Sequence, residues 1–434
     1  MRTSPSRGPS ASASRPARFE LFAVAAPGLE SIAAGELKTL GIKSRQEQGG
    51  VAFDGDLGRL YLTNLSLRTA SRILLRLGRF HASTFYELER RARNLPWTLY
   101  LPEKGRVEVR VTCRKSRLYH SDAVAERVLD AIARVSPPGI DLQIAASSHE
   151  GGDEEPNAKA TGKPVPNGDA TDKSQSFVVR IVDDVCEVSA DTSGDLLHRR
   201  GYRQEIAKAP LRETLAAAMV LASGWRANDP LLDPMCGSGT IAIEAALIGR
   251  RQAPGLARRF QFMSWPSFDQ KLWNEISGKA RESIRAVSLD IRGADRDAGA
   301  IEAAQRNAER AGVSADIRFS VSSVSASFAE LESVADAEQG WIITNPPYGI
   351  RVGESADLRD LYATLGAAVK GKNGWRIGIL AADDSLARQL RVPTRSRFDT
   401  SNGGIPVSYL VSERRSDAEP RSRESRLRKG AGQT

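Results

Sequence analysis

A glycine-rich stretch between an apolar strand and a helix constrains the fold of this chain more than any other feature of its sequence. Residues 230–233 predict a short strand, residues 235–240 contain two glycines, and residues 241–250 predict a helix. Such a loop lets a ligand approach the backbone closely and directs unpaired N–H groups of the helix toward it. The stretch therefore predicts a ligand site at a strand end in an α/β fold.

Strands and helices alternate along the chain after residue 211. The predicted elements are strands at 292–295, 341–344 and 376–381, a helix at 298–311, and a closing hairpin at 398–411. Alternating elements of this kind predict a mostly parallel sheet with helices on both faces.

Shorter elements before residue 193 predict a separate, smaller α+β module. They are strands at 19–24, 51–53, 107–113, 177–181 and 185–190, and helices at 28–40 and 122–135. Three segments have too few apolar residues to pack, and we expect them to be disordered: residues 1–18, an insertion at about 147–176, and residues 415–434.

Composition narrows the class of protein. The chain has 434 residues, of which 41% are hydrophobic and 26% are charged, which is typical of a soluble globular protein. No apolar run approaches the roughly 18 residues of a membrane-spanning helix. Three widely spaced cysteines without a CxxC pair, and four histidines outside every motif, predict a cytoplasmic protein without a metal site.

The positive charge is concentrated in one part of the chain. The formal net charge is +9, and residues 56–120 contain fourteen Lys or Arg against five Asp or Glu. Two clusters in this region are predicted to contact the phosphates of a nucleic acid, with a solvated surface as the alternative. They consist of Arg90, Arg91 and Arg93, and of Arg114, Lys115 and Arg117.

Three ligand classes use a glycine loop like Asp233-Pro234-Met235-Cys236-Gly237-Ser238-Gly239-Thr240. A P-loop needs a lysine after the glycines, and none is present. A dinucleotide site needs an acidic residue about 20 positions on, but the next acid at a strand end is Asp295. The string is closest to the third class, which binds S-adenosylmethionine. An ordinary glycine-rich turn remains the alternative.

A second candidate site follows a later strand, at Asn345-Pro346-Pro347-Tyr348. The prolines lack N–H groups, so the carbonyls beside them face no competing donor. The Asn345 Oδ1 and the Pro346 carbonyl would accept the two hydrogens of an exocyclic amine on a base and favour its reactive form. Tyr348 would stack on a base held outside its helix. The alternative is a Pro-Pro turn without chemistry.

These motifs resemble a known family. The glycine loop and Asn345-Pro346-Pro347-Tyr348-Gly349 look like motifs I and IV of class I S-adenosylmethionine-dependent methyltransferases that act on amino groups of bases. Residues 193–203 and 209–211 look like the linker of THUMP-domain RNA methyltransferases. Residues 22–30 are similar to the start of the bacterial large-subunit ribosomal RNA guanine-N2 methyltransferases.

The resemblance implies an α/β fold: a Rossmann-like class I methyltransferase domain with an N-terminal α+β ferredoxin-like/THUMP module. The implied divisions are a ferredoxin-like region at 19–60, a THUMP RNA-binding domain at 61–192, a linker at 193–210 and a methyltransferase domain at 211–414. It also implies S-adenosylmethionine as the methyl donor and RNA as the partner. Because only a charged tail follows Arg414, a single activity is expected.

The family pattern carries over to particular residues of this chain. Asp233, Gly237 and Gly239 are expected at the methionine end of the cofactor, and Asp295 at its ribose hydroxyls. Ser323 aligns with the acidic residue that the family usually places near the adenine amine, which puts that contact in doubt. The loop residues Pro234, Cys236 and Thr240 complete the predicted cofactor site, with packing of Cys236 beneath the turn as the alternative.

The expected activity is methylation of the N2 amine of a guanine in large-subunit (23S) rRNA by a monomer or weak homo-oligomer. The alternatives are the same chemistry on tRNA, a DNA adenine-N6 methyltransferase, and an RNA-binding protein without enzyme activity. The last alternative offers no reason for both motifs to occur at strand ends.

Overall fold

The computed structural model describes residues 18–145, 174–204, 211–332, 339–347, 355–372 and 374–413. The segments predicted to be disordered, at 1–18, about 147–176 and 415–434, lie almost entirely outside these residues, as do residues 205–210 of the predicted linker. The described chain forms two β-sheets, one for each half of the sequence.

The first sheet has eight strands and is built by residues before 192. Its elements in chain order are β1 (Phe19–Ala25), α1 (Glu30–Thr39), β2 (Ser44–Glu47), β3 (Gly50–Gly55), α2 (Leu57–Ser66), β4 (Ala70–His81), α3 (Phe85–Ala92), β5 (Gly105–Arg114), α4 (Ser121–Ala133), β6 (Ile140–Ile144), β7 (Gln175–Val182) and β8 (Val185–Asp191). The strand order is β2-β3-β1-β4-β8-β7-β5-β6.

The long strand β4 joins two parts of this sheet. It pairs antiparallel with β1 on one side and with β8 on the other. The predicted division after residue 60 falls inside α2, whose buried Leu60 and Tyr61 pack in the same core. The ferredoxin-like region is therefore continuous with the rest of the first module.

The second sheet has seven strands and is built by residues after 230. Its elements are α5 (Glu213–Ser223), β9 (Leu231–Asp233), α6 (Thr240–Gly249), α7 (Gln270–Glu282), β10 (Ile291–Asp295), α8 (Ala298–Ala311), β11 (Ile317–Val321), α9 (Val324–Glu332), β12 (Gly340–Thr344), α10 (Ser355–Gly371), β13 (Trp375–Ala381), α11 (Asp384–Gln389), β14 (Thr394–Asn402) and β15 (Ile405–Ser412). The strand order is β11-β10-β9-β12-β13-β15-β14.

Strands β9 to β13 run parallel, and β15 runs antiparallel between β13 and β14. The predicted parallel sheet and its closing hairpin are both present. The predicted helix at 298–311 is α8, which begins after the N-cap Asp297 and ends before Gly312 at a φ of 71°. An acceptor side chain at the start and a left-handed glycine at the end explain these bounds.

An aromatic cluster packs the second half of the chain against the first module. The Tyr61 ring of α2 stacks on Phe262 at 4.5 Å, and Trp273 of α7 meets Tyr61 edge-on at 6.1 Å. The Asp269 N–H donates to the Tyr61 hydroxyl at 2.9 Å. The segment between α6 and β10 thus attaches the second sheet to the first module.

A buried ion pair makes a second connection. Arg200, in the predicted linker, lies 3.2 Å from Glu244 of α6, and both side chains are almost fully buried. The same guanidinium donates to the Arg68 carbonyl at 2.7 Å, and the Tyr202 hydroxyl donates to Glu244 at 3.0 Å. Because α6 starts at the glycine loop, this network connects the loop to the predicted linker and to the first module.

Candidate functional site

The two sequence motifs meet at one edge of the second sheet. Strand β9 pairs with β10 on one side and with β12 on the other. The glycine loop (residues 233–240) follows β9, Asp295 ends β10, and Asn345 follows β12. The chain therefore reverses its direction of sheet growth at β9, which is where open α/β sheets bind ligands.

The two glycines of the loop have different roles. Gly237 and Gly239 have φ values of 53° and 81°, a region that L side chains rarely adopt. A Cβ on Gly239 would lie 3.0 Å from Ala304 and 3.1 Å from the Phe319 ring, so Gly239 allows close packing. A Cβ on Gly237 would meet no described atom within 4 Å. Gly237 thus leaves open space for a ligand near the backbone.

Hydrogen bonds with β10 and α8 hold the glycine loop in place. The Cys236 N–H donates to the Ala294 carbonyl at 2.9 Å, and the Asn307 Nδ2 donates to the Ser238 carbonyl at 3.1 Å. Burial raises the pKa of the Cys236 thiol, and this side chain packs against β10, close to Gly293. Pro234 and Thr240 are also buried, so much of the predicted cofactor loop is structural support.

Asp295 binds the loop directly. Its Oδ2 accepts the Gly237 N–H at 2.9 Å, and its Oδ1 accepts the Asp297 N–H at 3.0 Å. A carboxylate has about four acceptor positions. Two remain for a further donor such as a ribose hydroxyl.

Ser323 has a local role that its place in the family pattern did not reveal. Its side chain is exposed, and its Oγ accepts the Ala326 N–H at 3.2 Å at the start of α9. The adenine contact of Ser323 stays a prediction. Beside it, Val321 ends β11 opposite Asp295 and is 56% exposed. This aliphatic side chain offers an apolar contact for a planar ring, and sequence reasoning missed it.

Asp233 links the two motifs. Its side chain is 1% exposed, and burial raises its pKa to about 7, with the nearby negative charge of Asp295 acting in the same direction. The Thr344 hydroxyl donates to Asp233 Oδ1 at 2.8 Å, and the Met235 N–H donates at 3.3 Å. Thr344 precedes Asn345, so this bond fixes the second motif beside the loop. Thr344 was also missed from sequence.

Asn345 carries the unsatisfied acceptor of the site. Its Oδ1 is buried and has no hydrogen-bond partner among the described residues. Pro346 is buried and Pro347 is exposed, as expected for a turn that leaves the sheet. Tyr348 lies outside the described residues. The arrangement therefore provides a buried acceptor two strands away from Asp295.

The six predicted RNA contacts all lie exposed on the first module. Arg90, Arg91 and Arg93 lie at the end of α3. The basic loop (Arg114, Lys115 and Arg117) begins at the last residue of β5. It is held by the β7–β8 turn, where Asp184 Oδ1 accepts the Arg117 N–H at 2.7 Å. The Asp184 carbonyl also accepts the Ala82 N–H at 2.9 Å, near the start of α3. The first cluster thus ends α3, and the turn that holds the basic loop also binds the chain just before α3.

Neither a membrane span nor a metal centre occurs in the described ranges. No helix in them is long and apolar enough to cross a membrane. No group of three His, Cys, Asp or Glu side chains in the same ranges is placed to hold a metal ion.

Comparison with known proteins decides the family. Residues 200–409 match the family described as "RMKL-like, methyltransferase domain", and residues 20–74 match "RlmL ferredoxin-like domain". The protein named "Putative RNA methyltransferase slr0064" from Synechocystis sp. is 33% identical over 399 residues, 90% of this chain and 96% of that relative. The chain belongs to the RMKL-like methyltransferase family. Membership confirms the predicted methyltransferase class and the ferredoxin-like N-terminal region.

A second relative is longer than this chain. "Ribosomal RNA large subunit methyltransferase K/L" from Syntrophotalea carbinolica is 34% identical over 412 residues, which are 91% of this chain and 53% of that protein. The chain therefore spans about half the length of that relative.

Solved structures share both modules. A "predicted N6-adenine-specific DNA methylase" from Listeria monocytogenes has a TM-score of 0.76 and 32% identity, with 91% of this chain and 96% of that chain covered. "SMU.472, a putative methyltransferase complexed with SAH" has a TM-score of 0.75 and 29% identity, covering 92% and 99%. The predicted class I methyltransferase fold with its N-terminal module is confirmed.

Proposed function

We propose that this chain methylates the N2 amine of a guanine in large-subunit (23S) ribosomal RNA, with S-adenosylmethionine as the methyl donor. The observation that carries the proposal is the buried, unpartnered Oδ1 of Asn345 beside the glycine loop. Leaving a buried acceptor unsatisfied costs about 1–3 kcal/mol. We therefore expect it to bind a donor that arrives with the substrate.

An exocyclic amine on guanine provides such donors. Its nitrogen lone pair is delocalised into the ring, which makes the nitrogen a weak nucleophile. Asn345 Oδ1 and the Pro346 carbonyl would each accept one amine hydrogen and favour the pyramidal nitrogen. These bonds strengthen as positive charge grows on that nitrogen, so they lower the barrier to transfer. The nitrogen–carbon bond forms as the carbon–sulfur bond breaks, and the amine proton leaves to water.

The loop side of the site fits the donor. S-adenosylmethionine supplies an electrophilic methyl group on a sulfonium. Open space above Gly237 lets the backbone approach it, and Asp295 has acceptor positions left for ribose hydroxyls. Asp233 would face the cationic amino group, and that charge would favour the ionised form of a carboxyl whose pKa is raised to about 7. Val321 would contact the adenine ring of S-adenosylmethionine.

Two observations support an RNA substrate. The matched relatives include proteins named as RNA and ribosomal RNA methyltransferases. The positive excess lies in the first module, where it is exposed on α3 and the basic loop. The guanine N2 position rests on the likeness of the opening residues to rRNA guanine-N2 enzymes. We expect a cytoplasmic enzyme that acts as a monomer or weak homo-oligomer.

The test combines a substrate survey with a site variant. Purified full-length protein would be given S-adenosylmethionine with large-subunit rRNA from a deletion strain, with tRNA, or with duplex DNA. Mass mapping should find a methylated guanine N2 in the rRNA. Labelling of tRNA or of DNA adenine alone would overturn the proposed substrate.

Asn345→Ala should reduce the single-turnover rate by about a hundredfold or more, as loss of a transition-state hydrogen-bonding group does. Cofactor affinity should change by less than about twofold. The matched control is Asn274→Ala on the exposed face of α7, which should leave the rate unchanged. A rate loss below about threefold for Asn345→Ala would exclude its role as amine acceptor.

A further inference from the structure

Two tyrosines on the first module are unusually exposed. Of the large hydrophobic side chains exposed in the described residues, Tyr86 at 72% and Tyr119 at 70% are the most exposed. Tyrosine has a large apolar ring that normally contributes to a core or an interface. Neither ring belongs to the buried core of this module. We therefore expect the exposed face of each ring to bind another molecule.

One turn brings the two tyrosines to the same edge of the first sheet. The β7–β8 turn at Asp183 and Asp184 has positive φ values of 50° and 61°. Asp184 accepts the Ala82 N–H through its carbonyl and the Arg117 N–H through its carboxylate. Tyr86 lies four residues after Ala82 at the start of α3. Tyr119 lies two residues after Arg117, just before α4.

The two helices also pack together directly behind this edge. Arg127 of α4 lies 3.4 Å from Glu89 of α3, and its guanidinium lies over the Phe85 ring at 5.9 Å. The segments that lead into both helices are thus held by the turn, and Arg127 holds the two helices together. Tyr86 and Tyr119 are presented by a fixed scaffold.

Arg and Lys side chains occur close to both tyrosines. The Arg90 guanidinium lies 5.9 Å from the centre of the Tyr86 ring. The Tyr119 ring lies 4.1 Å from the ring of its neighbour His120. The basic loop precedes Tyr119, and its Arg117 side chain is 77% exposed. Exposed aromatic faces interleaved with Arg and Lys are the chemistry that binds unpaired nucleotides, because bases stack while cations bind phosphates.

We propose that Tyr86 and Tyr119 form a stacking site for unpaired bases of the RNA substrate. The inference rests on the proposed function and names the part of the RNA that the first module recognises: a single-stranded segment rather than a helix. The amine to be methylated binds elsewhere, at Asn345. The stacking site therefore contributes to RNA affinity and not to the chemical step.

The test compares RNA binding by full-length variants. Tyr86→Ala and Tyr119→Ala would each be titrated with a single-stranded RNA oligonucleotide and with a fully paired RNA of the same length, by fluorescence anisotropy. Each variant should lose about tenfold or more in affinity for the single strand, the scale of one stacked base. Affinity for the duplex should change by less than about twofold. Tyr86→Phe and Tyr119→Phe keep the ring and should bind as the wild type does.

A salt titration separates stacking from phosphate contact. The alanine variants should keep the wild-type dependence of affinity on salt, because a neutral ring releases no counterions. Unchanged single-strand affinity in both alanine variants, or equal losses on single strand and duplex, would overturn the stacking site. Wild-type protein that methylates no RNA would overturn the proposed function instead, so the two failures are distinguishable.

Discussion

The buried carboxyl of Asp233 should make the protein less stable as the pH rises. Its pKa is raised from 3.8 to about 7, mainly by burial. Between these two values the unfolded chain ionises Asp233 while the folded protein keeps it protonated. Stability from this group is therefore fully present below about pH 4 and is lost as the pH rises to about 7.

The variant Asp233→Asn should remove this dependence. The amide is neutral at every pH, and its oxygen can still accept from the Thr344 hydroxyl and the Met235 N–H. Between about pH 5 and about pH 8 the unfolding free energy of the wild type falls by about 3 kcal/mol, which corresponds to roughly two pKa units. The variant should therefore gain about 3 kcal/mol relative to wild type over this interval. Any cost of burying the extra amide N–H groups is the same at both pH values and cancels.

The assay is urea unfolding of both proteins at the two pH values, followed by tryptophan fluorescence. Asp141→Asn is the control, because its side chain is 60% exposed and a surface change should stay within about 0.5 kcal/mol. The wild-type-to-variant difference in unfolding free energy should shift by about 3 kcal/mol. A shift below about 1 kcal/mol would refute the conclusion that Asp233 is protonated in the folded protein near neutral pH.

Three further predictions address the cofactor site, the RNA surface and the connection between modules. Asp295→Ala should raise the dissociation constant for S-adenosylmethionine about ten- to hundredfold by calorimetry while leaving RNA affinity unchanged, since a charge-assisted bond is worth about 1.5–3 kcal/mol; unchanged cofactor binding would contradict the ribose contact. Charge reversal of the basic loop should flatten the salt dependence of RNA affinity by about one unit for each phosphate that the loop no longer neutralises; an identical slope would make that loop a solvated surface. Glu244→Gln removes the charge that pairs with the buried Arg200, so it should lower the free energy of unfolding in urea by about 3–5 kcal/mol. The control is Glu275→Gln, because Glu275 forms an exposed pair with Lys279. This variant should lose less than about 1 kcal/mol.

Local sequence was sufficient to predict the elements that form the candidate site. The glycine loop, the acid after β10 and the Asn345 turn each depend on residues that are adjacent in the chain. The hydrophobic period and the turn residues predict such elements because the side chains of a segment favour a particular conformation of its own backbone. The helix α8 illustrates this, since its Asp297 cap and Gly312 end lie within the element itself. The parallel sheet followed from the alternation of these elements.

The family pattern does not give the partner of a residue that can bind several groups. Ser323 matches the position of an adenine contact, and in the structure its hydroxyl accepts an N–H at the start of α9. A serine oxygen binds whichever donor the fold brings near it. The same limit applies to Val321, whose exposure depends on where the sheet ends and not on the residue itself.

The sequence alone was therefore enough to predict the class of fold, the glycine loop after β9 and the Asn345 turn after β12. How these parts are held together depends on contacts that form in the tertiary structure. The Thr344–Asp233 bond joins residues 111 positions apart, and the Arg200–Glu244 pair joins the linker to α6 across 44 positions. The pairing of β4 with β8 makes one sheet of the N-terminal half. Such contacts join segments that meet only when the chain folds. Burial of the whole core stabilises them, and the hydrophobic period of a single segment does not predict them.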